Sequence, residues 1–528
     1  MAYVDISDTP MLGATDRATG ILKQYKEAQN VKEHWKDKFE EAYEYCLPNR
    51  ESFYDEAPGQ RRTDKIFDET AVVGVQEFAS RLQAGITPTF ARWADFQAGS
   101  EIPEEQKSFI NLELDKITNY VFQVLQNSNF NQEVHETFMD LAIGTGVMLV
   151  EEGDAVNPVK FTAVPLPRVC LMNGPAGKID AIYRTRIIKP NEVTILYPKA
   201  KLPENFDPLK QKKQVKIIEA IYKIYEDNVE KYKFCVVMEN PKAILLEEIY
   251  TGEGSNPYLV FRWNKASGEV YGRGPVFNAM GAIKTCNLTI ELILQNAQMS
   301  VSGVYTYEDD GVINPDNISL VPGSLIPVAP GSKGLIPIQA ASNFDVAQLV
   351  LQDMRANIKK ALYMEALGKP EGTPMTATEV SERMADLSRQ IGSSFGRLQS
   401  EFINPLLKRI IRILSKQGRI TIPSVNGKEV RIAPRSPLAQ AQHLQDVADV
   451  TRFNEIIAGT FGPQMINVIV NQSETAKYLA EKMNLPEKLI RDESEQKRIV
   501  EQISQLQNQA QEPQAQNGAA APGQVPTE

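Results

Sequence analysis

A chain of 528 residues and 58.9 kDa is long enough for several packed units, since single hydrophobic cores rarely grow past about 250–300 residues. Its formal charge of −10 and pI near 5.3 exclude attraction to nucleic acid through net charge, so any DNA contact has to be local. Four scattered cysteines (Cys46, Cys170, Cys235, Cys286) argue against a disulfide-stapled secreted domain, the start with Asp5 and Asp8 does not read as a signal peptide, and the most apolar window, Leu141 to Val150, is too short to span a membrane.

The opening third reads as helix. Thr19 to Tyr45 sets Ile21, Leu22, Tyr25, Ala28, Trp35, Phe39 and Tyr43 near three-to-four spacing among many Lys and Glu, and Pro48 stops the run. A second helix is expected from about Asp68 to Ala84, before the breakers Gly85 and Pro88. After a loop through Trp93, helices follow at about Pro103 to Gln126 and Phe130 to Gly144.

From Val147 to Trp263 the pattern changes to short segments rich in Val, Ile, Phe and Tyr between turn residues. Strands are expected at Lys160–Val164, Lys178–Ile187, Gln214–Tyr225, Lys231–Met238 and Tyr258–Trp263, in a small mixed α/β or barrel-like unit. Gly272-Arg273-Gly274-Pro275 then leads into a long helix to about Ser302, whose apolar positions step by three, four or seven. Between Val304 and Ala341 lies a β-rich excursion, and a second helix, Phe344 to Leu367, returns from it.

A loop from Gly368 to Met375 precedes a very long helix, Thr376 to about Lys416. Thr376 and Glu379 form a capping box at its start, and Pro405 is expected to kink it. Strands at Arg419–Pro423 and Glu429–Ala433 are followed by helices at Pro437–Ala458, Pro463–Val470, Ser473–Met483 and Pro486 to about Gln509. From Gln511 the Gln, Ala, Pro and Gly composition cannot bury enough apolar surface to order itself.

Catalytic chemistry finds no foothold in these residues. No phosphate loop of the GxxxxGK[ST] kind is present, and Gly144-Thr145-Gly146 and Gly272-Arg273-Gly274 read as turns. His34, His135 and His443 lie apart with no metal-ligand spacing, and carboxylate pairs such as Asp309 with Asp310 or Glu151 with Glu152 read as solvated turns. No catalytic, metal or cofactor site is expected. The basic residues Lys359, Lys360 and Lys369 could face a channel, whereas Lys210, Lys212, Lys213 and Lys216 read as a solvated surface turn.

The order of elements, with Glu269-Val-Tyr-Gly-Arg-Gly-Pro275, Met375-Thr-Ala-Thr-Glu-Val380, Phe78-Ala-Ser-Arg-Leu82 and Gly144-Thr-Gly-Val-Met-Leu149, resembles the portal, or head-to-tail connector, family of T7-like short-tailed phages over residues 15–500. The resemblance implies a predominantly α-helical α+β portal fold. Its parts would be a wing at residues 1–265, stem helices at 266–303 and 343–367, a clip between them at 304–342, and a channel loop at 368–375. A long kinked helix returning through the wing would occupy 376–435 and a crown 436–510, with a disordered tail at 511–528. It further implies a ring, usually dodecameric, at one capsid vertex, through which double-stranded DNA is packaged and ejected. Its partners would be the terminase large subunit, tail adaptor or nozzle proteins, major capsid and scaffolding proteins and internal core proteins, with Lys369, Lys360 or Lys359 brushing phosphate. The residues leave two other readings: a tail or adaptor protein that conducts no DNA, or a DNA-processing enzyme using Asp309 and Asp310.

Overall fold

The computed structural model describes residues 14–54, 64–99, 102–204, 206–225, 230–302, 305–306, 330–331, 336–337, 344–364, 392–421, 430–434, 437–462, 469–482 and 498–499. Helix α1 (Ala14–Cys46) carries two apolar stretches with different destinations. Its first turns bury Ala18, Ile21, Leu22, Tyr25 and Ala28 against a five-stranded sheet, and its last bury Phe39, Ala42 and Tyr43 in the main core. Helix α2 (Thr70–Ile86) buries Ala71, Val75, Phe78, Ala79 and Leu82 along one face. The short strand β1 (Ala94–Ala98) lies on α3 (Glu104–Asn127), and α4 (Phe130–Ile143) ends with Leu141, Ala142 and Ile143 all buried.

The expected mixed or barrel-like unit is instead two antiparallel sheets. In the first, β2 (Thr145–Glu152) is flanked by β3 (Val159–Ala163) and β9 (Tyr258–Arg262). The second is a meander, β4 (Val169–Asn173), β5 (Ile179–Ile188), β6 (Val215–Ile224), β7 (Lys231–Met238) and β8 (Ala243–Thr251), with the one-turn α5 (Glu192–Leu196) between β5 and β6. Each strand pairs with its neighbour in sequence, which needs turns and no crossover helices. Strands β1, β2, β4 and β8 are additions to those expected.

Helix α6 (Pro275–Ser302) has the expected bounds. Of the β excursion after it, the described residues form one small pair, β10 (Tyr305–Thr306) with β11 (Ile336–Pro337). Helix α7 (Phe344–Ala361) packs on α6 and ends six residues before the expected Leu367. It ends because Tyr363 adopts a left-handed φ of 57°, with Tyr363 N–H bonded to Lys360 O at 3.1 Å and Met364 N–H to Lys359 O at 2.9 Å.

Lys369, the loop from Gly368 and the capping box at Thr376 and Glu379 lie outside the described residues. The described part of the long helix is α8 (Gly392–Leu398), a π-turn over Gln399–Ile403 and α9 (Asn404–Lys416). The irregularity expected at Pro405 thus takes the form of a wider turn just before it. A proline ring presses on the carbonyl four residues back, and the five-residue bond from Asn404 N–H to Gln399 O accommodates it.

Gly418, at φ +68°, closes α9, and Arg419 to Thr421 form no strand, contrary to expectation. Arg419 instead donates a side-chain bond to Ala155 O and a backbone bond to Leu414 O. Strand β12 (Val430–Pro434) then pairs antiparallel with β1 in the register Phe96↔Ile432. Helix α10 (Pro437–Phe461) leads into a second compact unit that begins at Gln442, where α11 (Gln472–Lys482) follows. The expected helix after Pro486 and the tail from Gln511 lie outside the described residues, save 498–499.

Candidate functional site

The two glycine motifs, separate turns in the sequence, meet in the fold. Gly144, at φ +155°, ends α4, and its carbonyl accepts the Trp263 N–H at 2.9 Å. Thr145 Oγ1 accepts the Gly272 N–H at 2.8 Å, and Ile143 O accepts the Gly274 N–H at 2.7 Å. A side chain at Gly274 would put its Cβ 2.5 Å from the carbonyl carbons of both Ala142 and Ile143. Backbone therefore lies on backbone here, and this joint fixes where α6 leaves the core.

The pair α6 and α7 is held from the side by α2 and the residues before it. Asn287, buried on α6, accepts the N–H groups of Phe67 and Asp68 at 2.8 and 3.0 Å and donates to Ile283 O. Asp68, also buried, takes the Arg355 guanidinium of α7 at 2.7 Å and the Thr70 N–H at 2.9 Å. Burial acts to raise the Asp68 carboxyl, but the bonds from Thr70 and Arg355 outweigh it and hold its pKa below the usual value.

At the end of α7, Arg81 donates to the carbonyls of Tyr363, at 3.2 Å, and Met364. The Tyr363 ring packs beside the Phe78 and Trp263 pair, with centroids 6.4 and 5.8 Å away. Gly74 leaves room for Leu362, whose Cδ1 would be 2.5 Å from any Cβ there. These contacts carry the left-handed residue, which costs a non-glycine about 1–2 kcal/mol.

Lys359 and Lys360 stand exposed on the last turn of α7, immediately before this clamp. The same helices expose apolar side chains: Leu288, Leu292 and Leu294 on α6 at 53–56%, and Leu349 on α7 at 69%. So much aliphatic surface on two neighbouring helices is the mark of an interaction face.

Elsewhere several buried charges are paired in structural networks. Glu219 accepts the hydroxyls of Tyr197 and Tyr258 and the Arg186 guanidinium at 2.9 Å, and Arg184 lies 3.7 Å away. Burial, then the Glu219 charge, pushes both tyrosine hydroxyls upward. Arg262 grips Glu401 of the π-turn through two side-chain bonds, at 2.6 and 3.2 Å. Asp140 accepts the Tyr43 hydroxyl at 2.9 Å and Arg50 at 3.1 Å. Burial raises its carboxyl pKa to about 6 against the pull of Arg50.

All four cysteines are buried free thiols, and the described residues hold no cluster of side chains suited to a metal and no helix long and apolar enough to cross a membrane. Asp309 and Asp310 lie outside the described residues, while Glu152 pairs with Lys416 at 2.6 Å. The clamp residues Asp68, Arg81, Asn287 and Arg355 were not singled out as functional in the sequence. Arg81 falls within the Phe78-Ala-Ser-Arg-Leu82 motif, and the others signal themselves only by polarity beside apolar stripes.

A family model described as bacteriophage head to tail connecting protein matches residues 18–490. The probable portal protein of Bordetella phage BPP-1 is 23% identical over 469 residues, which cover 82% of this chain and 81% of that one. The portal protein of Salmonella phage epsilon15 is 21% identical over 446 residues, covering 80% and 79%. That of Escherichia phage T7 is 22% identical over 166 residues, covering 31% and 30%.

Proposed function

The chain belongs to the bacteriophage head-to-tail connecting proteins, and from that premise we propose that it is the portal subunit, copies of which close into a ring at the capsid vertex. The observation that carries this reading is the family match across residues 18–490. The paired helices α6 and α7 add support, because they leave aliphatic side chains bare in a single copy, as a subunit packed between neighbours would.

In the ring, α6 and α7 are the stem and the residues between them the clip that meets the terminase large subunit during packaging and the tail adaptor or nozzle afterwards. The wing faces the major capsid and scaffolding proteins, the crown faces the internal core proteins, and double-stranded DNA passes along the axis. Lys359, Lys360 and Lys369 are the channel contacts. Sparse lysines in an acidic subunit suit passage, since many tight phosphate contacts would hold the duplex in place. The role is structural rather than catalytic, with the motor's energy coming from a separate ATPase.

Electron microscopy of the purified protein, with averaged axial views, tests this. A hollow ring of high order is expected, with twelve copies the expected number. A filled axis would favour the adaptor reading, and isolated particles under all conditions would refute the ring. Metal-dependent DNA cleavage lost on replacing Asp309 and Asp310 would revive the enzyme.

A further inference from the structure

The connection between β5 and β6 forms its own small core at one end of the five-stranded sheet, where Val193, Tyr197 and Phe206 pack on Val215, Ile217, Val236, Met238 and Leu245. Tyr197 is further anchored through its hydroxyl to the buried Glu219. On this platform the chain makes a single turn capped by Asp207, whose carboxylate accepts the Leu209 N–H at 3.0 Å and whose carbonyl accepts those of Lys210 and Gln211 at 3.2 Å. The turn holds Leu209 out at 91% exposure, and Ile195, on α5 of the same small core, is 74% exposed.

Basic residues follow Leu209 closely along the chain. Residues 206–216 hold four lysines and one carboxylate, in a chain whose net charge is −10. Lys210 pairs with Asp207 of its own turn and Lys216 with Glu239, while Lys212 and Lys213 are exposed and make no ion pair among the described residues.

We propose that this turn is a docking surface for another protein, one that offers an apolar socket to Leu209 within an acidic rim facing Lys212 and Lys213. An aliphatic anchor with charged neighbours is the anatomy of a protein interface. A nucleic acid fits less well: it would leave Leu209 nothing to bury, and the turn brings no arginine and no exposed aromatic ring. A second copy of this chain also fits less well, because the turn stands on a core separate from the one that includes α6 and α7, whose bare faces serve the ring. The inference rests on the portal reading only in that the assembled phage particle supplies the partner.

The test treats purified particles with a carbodiimide, which joins a lysine amine to a carboxylate in direct contact, and maps the joined peptides by mass spectrometry. Links from Lys212 or Lys213 to Asp or Glu of a different protein are expected. Links to a neighbouring copy of this chain, or none at all, overturn the proposal.

In parallel, the triple variant Leu209→Asp, Lys212→Glu, Lys213→Glu should form rings in wild-type yield while its incorporation into particles falls by about tenfold or more, the size of one sound interface contact. Lys212→Arg with Lys213→Arg should incorporate normally. Failure of the triple variant to form rings would assign the surface to the ring, and undiminished incorporation would remove it as an interface. A missing ring in the wild-type protein would instead sink the portal reading itself.

Discussion

Replacing Gly274 by alanine places one methyl group where α4 and the entry to α6 touch through backbone alone. The new Cβ would stand 2.5 Å from the carbonyl carbons of Ala142 and Ile143, and real Cβ contacts under 3.0 Å are essentially absent from proteins, so one backbone must retreat. That retreat strains the bond from Gly274 N–H to Ile143 O, which is 2.7 Å long and buried. Losing it costs about 1–3 kcal/mol and the overpacking another 1–3 kcal/mol. The expected destabilisation is about 2–6 kcal/mol, toward the upper end for a point substitution.

Urea unfolding followed by tryptophan emission reads this directly, because Trp263 bonds to Gly144 in the same joint. Gly396→Ala is the control: it lies within α8 with nothing near its missing Cβ, and should gain about 0.5–1 kcal/mol. An unfolding midpoint for Gly274→Ala equal to the wild type's would refute the backbone contact as the constraint that sets the start of α6.

Arg81→Ala removes the bonds to the Tyr363 and Met364 carbonyls and should cost about 1–3 kcal/mol, with Arg81→Lys in between; thermal unfolding and a shift in Trp263 emission check it. The Asp140 carboxyl, raised by burial to about 6 from 3.8, binds its proton more tightly folded than unfolded. Its stabilising contribution is therefore complete below about pH 4 and is lost as pH rises to about 6. Relative to the wild type, Asp140→Asn should gain up to about 3 kcal/mol across that window, read by urea titrations at each pH. Lys359→Ala with Lys360→Ala should leave rings intact and flatten the salt dependence of duplex binding by about 0.9 per lost phosphate contact; an unchanged slope would remove both lysines from the channel wall.

Amphipathic periodicity carried the helices well. The bounds of β7 were legible to the residue and those of α6 closely, because α6 opens on a Gly-Pro pair and the β7 sequence lies between the turn-favouring pairs Asp227-Asn228 and Asn240-Pro241. Strand β2 was hidden because six consecutive residues from Thr145 to Val150 are buried, so no alternation marks the strand. In β8 the charges of Glu247 and Glu248 interrupt the apolar pattern, and β1 is five residues with an aspartate inside.

The early end of α7 could not be read locally, since Met364-Glu-Ala-Leu367 favours helix by composition. Contacts from Phe78, Arg81 and Trp263, all distant in sequence, decide it. The glycine joint was legible as two motifs but not as one object, because 128 positions separate Gly144 from Gly272.

The π-turn at Gln399–Ile403 amounts to one extra residue wound into an otherwise regular helix. Each residue turns an α-helix by about 100°, so deleting one there to restore an ideal helix would swing everything downstream by that angle. Leu406, Leu407, Ile410, Ile413 and Leu414, all buried now, would rotate off the core, while Arg409, which binds the carbonyls of Val150 and Ser255, would lose its targets. The irregular turn is thus a phase-setting device. It lets one continuous helix present Glu401 to Arg262 at one end and a differently aimed apolar face at the other, and makes this stretch intolerant of a single-residue change in length.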